Sequence, residues 1–256
     1  MRETILKKLE EIEVVNNVKI LFAIESGSRA WGFASPDSDY DVRFVYAHPE
    51  DHYLSIYEHK DIIELPVNEI LDIGGWDIRK ALRFIGKTNA VIYEWYQSPI
   101  LYKQKTAFIS ELANISNEYF SPRAAMHHYL SMTINTFEGS LKTEKVKLKK
   151  YFYALRPILA AEWIAQYSTV PPMEFTKLRE ILNDNEINDE IDKLLALKAS
   201  ADEKFEYSPN AILNKYLEER INHLKTISDS LPKKETESNA LNQLFRNTIK
   251  EAYGNN

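Results

Sequence analysis

A short segment of the chain combines residue types that suit phosphate and metal chemistry. Gly27 and Ser28 follow the apolar run Val18 to Ile24, which has the length and the branched residues of a buried strand. A small Gly-Ser pair lets the backbone pass close to a ligand. A helix that begins at Ser28 or Arg29 would direct free backbone N–H groups towards an anion. We therefore expect this turn to bind phosphate.

Two carboxylates follow the turn. Asp39 and Asp41 enter a second strand pattern, Tyr40 to Tyr46, two positions apart. Alternate residues of a strand lie on one face, about 6.6 Å apart, so both carboxylates point the same way. Like charges so placed repel unless a cation lies between them, and Mg²⁺ is held by a few carboxylates plus substrate phosphates. Alone, each motif is commonly a simple turn, and it is their order along the chain that indicates an active site.

This order of motifs resembles the DNA polymerase beta superfamily of nucleotidyltransferases, in which a Gly-Ser turn precedes an Asp-x-Asp strand. The residues around the motifs are similar to the RlaP-like (YcgL-like) branch, which is associated with bacterial RNA repair. Three further segments agree with that branch, and together the matches cover most of residues 20 to 165: Leu71 to Leu82, Glu94 to Pro99 and Lys149 to Pro157.

The resemblance implies a nucleoside triphosphate as substrate and Mg²⁺, or alternatively Mn²⁺, as cofactor. It also implies a third carboxylate between apolar residues on a neighbouring strand. Asp72 and Glu64 both have such flanks; we prefer Asp72 because the residues around it carry the resemblance. Asp77 is assigned to structure, since an acid before the predicted helix Ile78 to Ile85 complements the helix dipole. The implied residues are as follows: Asp39, Asp41 and Asp72 for catalysis and metal, and Gly27, Ser28, Arg29 and Ser38 for the nucleotide.

A basic stripe marks a predicted long helix over residues 143 to 167 with its lead-in. Lys142, Lys149 and Arg156 recur every seven residues, and Tyr153 lies near the same stripe. Lysine-rich faces are most often only solvated, which is the default for Lys142, Lys145 and Lys147. Arg156 has apolar neighbours and would be costly to bury without an anion, either a structural carboxylate or substrate. The resemblance favours substrate, so we expect Lys149, Tyr153 and Arg156 to hold phosphate.

Composition limits the class of protein. The chain has 256 residues, 44% hydrophobic and 27% charged content and no cysteine, which excludes disulfide-linked partners and cysteine-based metal sites. No apolar run reaches the length of a membrane span and the first residues do not form a signal peptide, so we expect a cytoplasmic protein without a membrane partner. The net charge of −6 argues against broad, non-specific binding of nucleic acid.

The patterns predict an α+β fold in two domains. Residues 1–105 would form a nucleotidyltransferase domain with a small mixed sheet flanked by helices, and residues 106–256 an all-α bundle that binds substrate. A first helix is expected over 3–13, a strand hairpin over 61–65 and 69–73, and a linker over 230–239. Further helices are predicted over 90–97, 106–117, 122–140, 174–183, 187–200, 208–228 and 239–253. The neighbours His127 and His128 are assigned to packing or capping, with His128 as an alternative site residue.

The expected function is transfer of a nucleoside monophosphate from a triphosphate to a hydroxyl group. The acceptor stays open between an RNA end, a protein side chain and a small alcohol, because all three offer the same attacking group. The alternative is a non-catalytic regulatory protein that keeps the fold and binds nucleotide, such as the nucleotidyltransferase-like partner in a toxin–antitoxin pair. Intact Gly27, Ser28, Asp39 and Asp41 favour the enzyme.

Overall fold

The computed structural model describes residues 1–67, 70–104, 106–202, 205–232, 234 and 239–254. The helices are α1 (Arg2–Asn16), α2 (Gly27–Trp31), α3 (Glu50–Tyr53), α4 (Ile78–Gly86), α5 (Ala90–Trp95), α6 (Thr106–Tyr119), α7 (Pro122–Thr136), α8 (Leu148–Tyr167), α9 (Phe175–Arg179), α10 (Asn185–Ser200), α11 (Ala211–Ser228) and α12 (Asn239–Tyr253). The strands are β1 (Lys19–Glu25), β2 (Tyr40–Ala47), β3 (Ile62–Glu64), β4 (Leu71–Asp77), β5 (Leu101–Gln104), β6 (Val146–Lys147) and β7 (Glu206–Tyr207). A π-helical turn, Phe137–Leu141, follows α7.

The chain divides into two compact units. Unit 1 contains Met1–Gly27, Asp39–Tyr119 and Glu235–Asn256, and unit 2 contains Ser28–Ser38 and Phe120–Lys234. Both units are therefore discontinuous along the chain. These units group residues by contact and do not test the division of function at residues 105 and 106, which stays a prediction.

Unit 1 is built on a five-stranded sheet in the order β3-β4-β2-β1-β5. Strands β2 and β4 are parallel, and every other neighbouring pair is antiparallel. Helix α4 packs on β2 and β4, and α12 packs on α4 and α6. A mixed sheet with helices confirms the α+β class.

In the first half of β2, alternation separates the core face of the sheet from a polar face; further along the strand, Val45 and Ala47 of the second face are also buried. Val42, Phe44 and Tyr46 join a buried core with Ile5 and Leu9 of α1, which recur at helical spacing. Asp41 and Arg43 alternate with these core residues along β2 and therefore point to the opposite face. On β4, Leu71 and Ile73 belong to the same core and alternate with Asp72 in the same way.

Asp77 caps α4, as the sequence predicts. Its carboxylate accepts a hydrogen bond of 2.7 Å from the Arg79 backbone N–H, and its other oxygen accepts one of 2.7 Å from the Tyr53 hydroxyl. Burial raises the pKa of Asp77, although the bonds from Tyr53 and Arg79 lower it. Asp77, at the end of β4, therefore has the structural role that the sequence predicts, as the cap of α4.

Unit 2 is mainly helical. Helices α7, α8 and α11 pack against one another, α9 packs on α8, and α10 packs on α8 and α11. Most of the centre of α8 is apolar and fully buried, including Phe152, Leu155 and Ile158. Pro157 lies inside α8 without ending it.

Most predicted elements are confirmed, with shifts at their ends, and some need correction. The helix predicted over 143–167 begins only at Leu148, because Val146 and Lys147 pair with Tyr207 and Glu206 in a small antiparallel sheet. Lys142 therefore lies outside α8, and the expected seven-residue stripe is broken. Strand β5 was not predicted. The helix predicted over 122–140 ends as α7 at Thr136 and continues as the π-helical turn, and the one over 174–183 is only Phe175–Arg179.

Two predicted segments lie partly outside the described residues. The predicted hairpin includes residues 68 and 69, at the end of its turn and the start of its second strand, and the predicted linker over 230–239 includes residues 233 and 235–238. Where the structure describes the hairpin, β3 and β4 pair antiparallel. No helix in the described ranges has both the length and the apolar character needed to cross a membrane.

Candidate active site

Two of the predicted carboxylates lie side by side on the polar face of the sheet in unit 1. Asp41 of β2 and Asp72 of β4 are direct partners in the parallel register. Both side chains are partly exposed, by 33% and 35%. Asp39 lies just before β2 and is exposed. Neighbouring strands are about 4.8 Å apart, so the register brings Asp41 and Asp72 within reach of one cation.

An arginine binds both carboxylates. The Nη2 atom of Arg43 lies 2.6 Å from Asp72 Oδ2 and 3.5 Å from Asp41 Oδ1. Arg43 Nη1 also donates to the backbone carbonyl oxygen of Asp72 at 3.2 Å. The guanidinium offsets the repulsion between the two acids, as a bound cation would. Arg43 was not singled out from the sequence, although its position two residues after Asp41 on a strand predicts the shared face.

Glu64, the alternative third carboxylate, lies nearby in unit 1. It is the register partner of Gly74, and Gly74 is in turn the partner of Arg43. A Cβ atom at Gly74 would lie 3.7 Å from Glu64 Cγ and 3.9 Å from Arg43 Nη1. Glu64 therefore lies on the same face of the sheet, but two residues along the strands from the Asp41–Asp72 pair.

The backbone around Asp41 is held at both of its polar groups. The Asp41 N–H donates to Glu25 Oε1 at 2.8 Å, and the Asp41 carbonyl oxygen accepts from the Ser26 N–H at 2.7 Å. Gly27 has a φ of +61°, and a Cβ atom there would lie 2.1 Å from Asp41 Oδ2. Only glycine allows the chain to turn this close to the carboxylate.

Glu25 is a second residue that the sequence did not single out. Its side chain is fully buried, and its carboxylate also accepts a hydrogen bond of 2.5 Å from the Tyr102 hydroxyl. Burial and the adjacent carboxylate raise the pKa of Tyr102, so its hydroxyl keeps its proton. Glu25 is thus a buried acid that fixes the backbone of Asp41. The sequence feature that could have indicated it is an acidic residue at the end of an apolar strand.

The predicted phosphate-binding turn forms a hydrogen-bonded loop within unit 2. Ser28 and Ser38 are both buried, and the Ser28 hydroxyl donates to Ser38 Oγ at 3.1 Å. Arg29 Nη2 donates to the Ser38 carbonyl oxygen at 2.6 Å. The backbone N–H groups of Gly32 and Phe33 both donate to the Ser28 carbonyl oxygen. The structure begins α2 at Gly27, close to the predicted start at Ser28 or Arg29.

The three predicted phosphate contacts of α8 differ in burial within unit 2. Lys149 and Tyr153 are partly exposed, whereas Arg156 is only 2% exposed. The Nε and Nη2 atoms of Arg156 donate to the Met173 carbonyl oxygen at 3.1 and 3.0 Å. The guanidinium lies 4.7 Å from the ring centre of Trp31. A carbonyl and an aromatic face thus contribute to its burial, a combination that the sequence alternatives did not include. The substrate role of all three residues stays a prediction.

The remaining polar candidates from the sequence are three lysines and two histidines. Lys142 binds Glu138, and Lys145 and Lys147 are exposed, which agrees with a solvated face. His127 Nε2 lies 3.5 Å from Asp229 Oδ1, and the His128 ring lies beside Tyr129.

The carboxylates do not form a complete metal cage in the described conformation. Within the part of the chain that the structure describes, no group of three or more histidine, aspartate or glutamate side chains is arranged to hold a metal ion. Asp41 and Asp72 nonetheless supply the hard oxygen donors that Mg²⁺ and Mn²⁺ prefer, and they already bind one positive group. The donor set fits a divalent ion if Arg43 moves aside.

Comparison with known proteins identifies relatives over nearly the whole chain. The sequence is 39% identical over 255 residues to "Uncharacterized protein YcgL" of Bacillus subtilis (strain 168), covering 99% of this chain and 98% of that protein. A solved nucleotidyltransferase-like protein from Exiguobacterium sibiricum 255-15 matches 96% of this chain and 80% of its own, at 11% identity. Its TM-score of 0.33 is too low to support any inference. The model of the RNA repair pathway DNA polymerase beta family, RlaP, matches residues 1–247, and the chain therefore belongs to that family, which indicates a nucleotidyltransferase-type activity.

Proposed function

We propose that the protein transfers a nucleoside monophosphate from a nucleoside triphosphate to a hydroxyl acceptor and releases pyrophosphate. The observation that carries the proposal is the Asp41–Asp72 pair, which two neighbouring parallel strands bring together and which already binds a guanidinium. Family membership supports the same reaction class.

The proposed cofactor is Mg²⁺, with Mn²⁺ as a substitute. Asp39, Asp41 and Asp72 would hold it, and Glu64 is the alternative to Asp72. When bound, a divalent ion supplies positive charge to the phosphates and makes the acceptor hydroxyl easier to deprotonate. Binding requires Arg43 to release at least one carboxylate, because the two cations would compete for the same oxygens.

The residues of the chain itself have separate parts in the proposal. Gly27 and Ser28 give the phosphates a close backbone approach, with Arg29 and Ser38 shaping the loop. Glu25 holds the Asp41 backbone in register. Lys149 and Tyr153, which are partly exposed, are proposed to hold triphosphate or acceptor phosphate. Arg156, the third residue expected to do so, is buried and is proposed to contribute positive charge without direct contact. Positioning and charge then account for the chemistry.

For the acceptor we propose an RNA end, acted on in the cytoplasm. The family description, which places the family in an RNA repair pathway, supports this choice over a protein side chain or a small alcohol. We further propose that residues 1–105 carry the transfer chemistry and that residues 106–256 bind substrate.

One observation favours a second function. Arg43 lies between Asp41 and Asp72, where an enzyme of this type would need its metal. If the guanidinium stays there, the protein binds nucleotide without turnover, as a regulatory or antitoxin-like protein would. The two functions differ in whether the metal displaces Arg43.

The test is release of labelled pyrophosphate from each nucleoside triphosphate, with Mg²⁺ or Mn²⁺, over a pool of RNA ends and cell extract. The double variant Asp39→Ala/Asp41→Ala is measured beside the wild type, and Asp51→Asn, an exposed acid of α3, serves as the control. We expect release by the wild type and the control only. A parallel reaction with the label on the α-phosphate, which is transferred with the nucleotide, identifies the acceptor. Nucleotide binding without any release would favour the regulatory function.

A further inference from the structure

A buried lysine ends the apolar stripe of α10. Ile187, Ile191 and Leu194 are buried at helical spacing, and Lys198 continues the same stripe with only 3% exposure. Lys193, on the same helix, is 64% exposed and binds Glu190. An apolar residue would be the simplest occupant of position 198, because taking an ammonium group out of water is costly.

The ammonium group of Lys198 is directed at the loop between Ser28 and Ser38. Lys198 Nζ donates to Ser35 Oγ at 2.7 Å, across 163 residues of sequence. The backbone N–H of Ser35 donates to Ser38 Oγ at 2.9 Å, and the Ser28 hydroxyl donates to the same oxygen. A hydrogen-bonded chain therefore runs from α10 to Ser28.

The loop is also held by aromatic packing inside unit 2, because the Phe33 ring stacks on Phe152 of α8. It contains Gly32 with a φ of +91° and the turn in which the Ser38 N–H donates to the Ser35 carbonyl oxygen. All three serines are at least nine-tenths buried, with exposures of 4 to 7%. A charged donor forms a stronger hydrogen bond than a neutral one, so Lys198 is well suited to hold Ser35 in place.

We propose that Lys198 is a positioning residue that fixes the Ser28–Ser38 loop in the shape that binds the phosphates of a nucleoside triphosphate. This inference rests on the proposed function for its ligand. It assigns to Lys198 an effect on nucleotide binding through Ser35, without contact between Lys198 and the nucleotide.

The test separates loop order from chain stability. Lys198→Met removes the charge and keeps an unbranched apolar chain, and Lys193→Met is the matched control on the same helix. We expect Lys198→Met to change the unfolding midpoint only slightly, because an apolar side chain that suits the buried stripe offsets the hydrogen bond lost to Ser35. We expect backbone amides of residues 28–38 to exchange hydrogen about tenfold faster, since the loop loses a charge-assisted bond. ATP with Mg²⁺ should bind about tenfold more weakly for the same reason.

Two further variants keep the inference testable if Lys198→Met does not fold. Ser35→Ala removes the acceptor and should reproduce the faster exchange, whereas Lys198→Arg keeps a charged donor and should restore most of the protection. Unchanged exchange in the loop of both Lys198→Met and Ser35→Ala would overturn the inference. Failure of the wild type to bind any nucleotide would instead contradict the proposed function, and the exchange rates would still decide whether Lys198 orders the loop.

Discussion

The charged groups on the carboxylate face of unit 1 and the buried cations of unit 2 differ in their exposure and in the kind of partner they bind. Asp41, Asp72 and Arg43 are each 23 to 35% exposed and pair with one another. Arg156 and Lys198 are 2 to 3% exposed, and they donate to a backbone carbonyl oxygen and a serine hydroxyl. Partly exposed ion pairs contribute little to stability and exchange partners easily, whereas buried charges must keep theirs. The comparison assigns ligand exchange to the first region and fixed geometry to the second.

The largest expected effect tests the fixed character of Arg156. Arg156→Met leaves a cavity against Trp31 and removes both donors from the Met173 carbonyl oxygen. We expect the free energy of unfolding to fall by about 3 kcal/mol, measured by chemical denaturation. Lys150→Met, on the same helix and only partly buried, should change it by less than about 1 kcal/mol. If Arg156→Met were as stable as the wild type, the contacts of Arg156 would not stabilise the fold, and Arg156 would resemble the partly exposed charges of unit 1.

The second effect tests how closely the backbone approaches Asp41. Gly27→Ala adds a Cβ atom that collides with Asp41 Oδ2 and forces a non-glycine residue to a φ of +61°. Gly32→Ala also sits at positive φ, at +91°, but meets nothing within 4 Å. We expect the first variant to lose about 2 kcal/mol of unfolding free energy and the second about 1 kcal/mol. If thermal unfolding shows equal losses, the contact with the carboxylate does not matter.

The third prediction concerns unit 1, whose folding stability should fall at acid pH because of His48. Burial, with His52 and His59 nearby, lowers the pKa of His48 from 6.5 to about 4. The unfolded chain then takes up a proton below pH 6.5 that the folded chain takes up only near pH 4, so stability falls as pH falls through this window. Partial exposure reduces the loss to about 1 kcal/mol.

His48→Gln should remove that part of the pH dependence when unfolding is followed at pH 7, 6, 5 and 4. The exposed His223 of α11 gives a control, since His223→Gln should leave the slope intact. A wild-type slope in His48→Gln would mean that the acid sensitivity arises elsewhere.

The smallest effect on stability concerns Arg43. Arg43→Met removes the guanidinium between Asp41 and Asp72, and because the pair is partly exposed we expect a loss of about 0.5 kcal/mol without metal. Adding Mg²⁺ should then raise the unfolding temperature more than in the wild type, since the competing cation is gone. The exposed Arg83 supplies the control variant Arg83→Met. No gain with Mg²⁺ in Arg43→Met would favour the regulatory function.

Local sequence patterns were sufficient for much of the fold and the carboxylate face. Alternation in β2 placed Asp41 away from the core, and the Asp77 cap of α4 followed from a single acid before a helical run. The resemblance, rather than spacing alone, selected Asp72, and its register with Asp41 comes from a parallel pairing of strands about 30 residues apart.

What the sequence missed depends on distant pairing and on burial. Val146 and Lys147 leave the helical pattern because they pair with residues 206 and 207, which no local window contains. In the sequence, Lys198 cannot be distinguished from the solvated lysines, because its burial depends on the packing of α10. Ser35, to which it donates a hydrogen bond, lies 163 residues away. Strand alternation could have predicted that Arg43 lies on the same face as Asp41. Its contact with Asp72 could not be predicted, because it depends on the register between β2 and β4.

The roles of Asp72 and Glu64 are separated by comparing Asp72→Asn with Glu64→Gln in the pyrophosphate-release assay with Mg²⁺. Both acids lie on the polar face of the sheet, but only Asp72 is the direct partner of Asp41. We predict that Asp72→Asn lowers release by at least about a thousandfold, since it weakens the hold on the divalent ion that would stabilise the reacting phosphates. Glu64→Gln should stay within about threefold of the wild type. Wild-type release by Asp72→Asn would contradict the account of Asp41 and Asp72 as the catalytic pair.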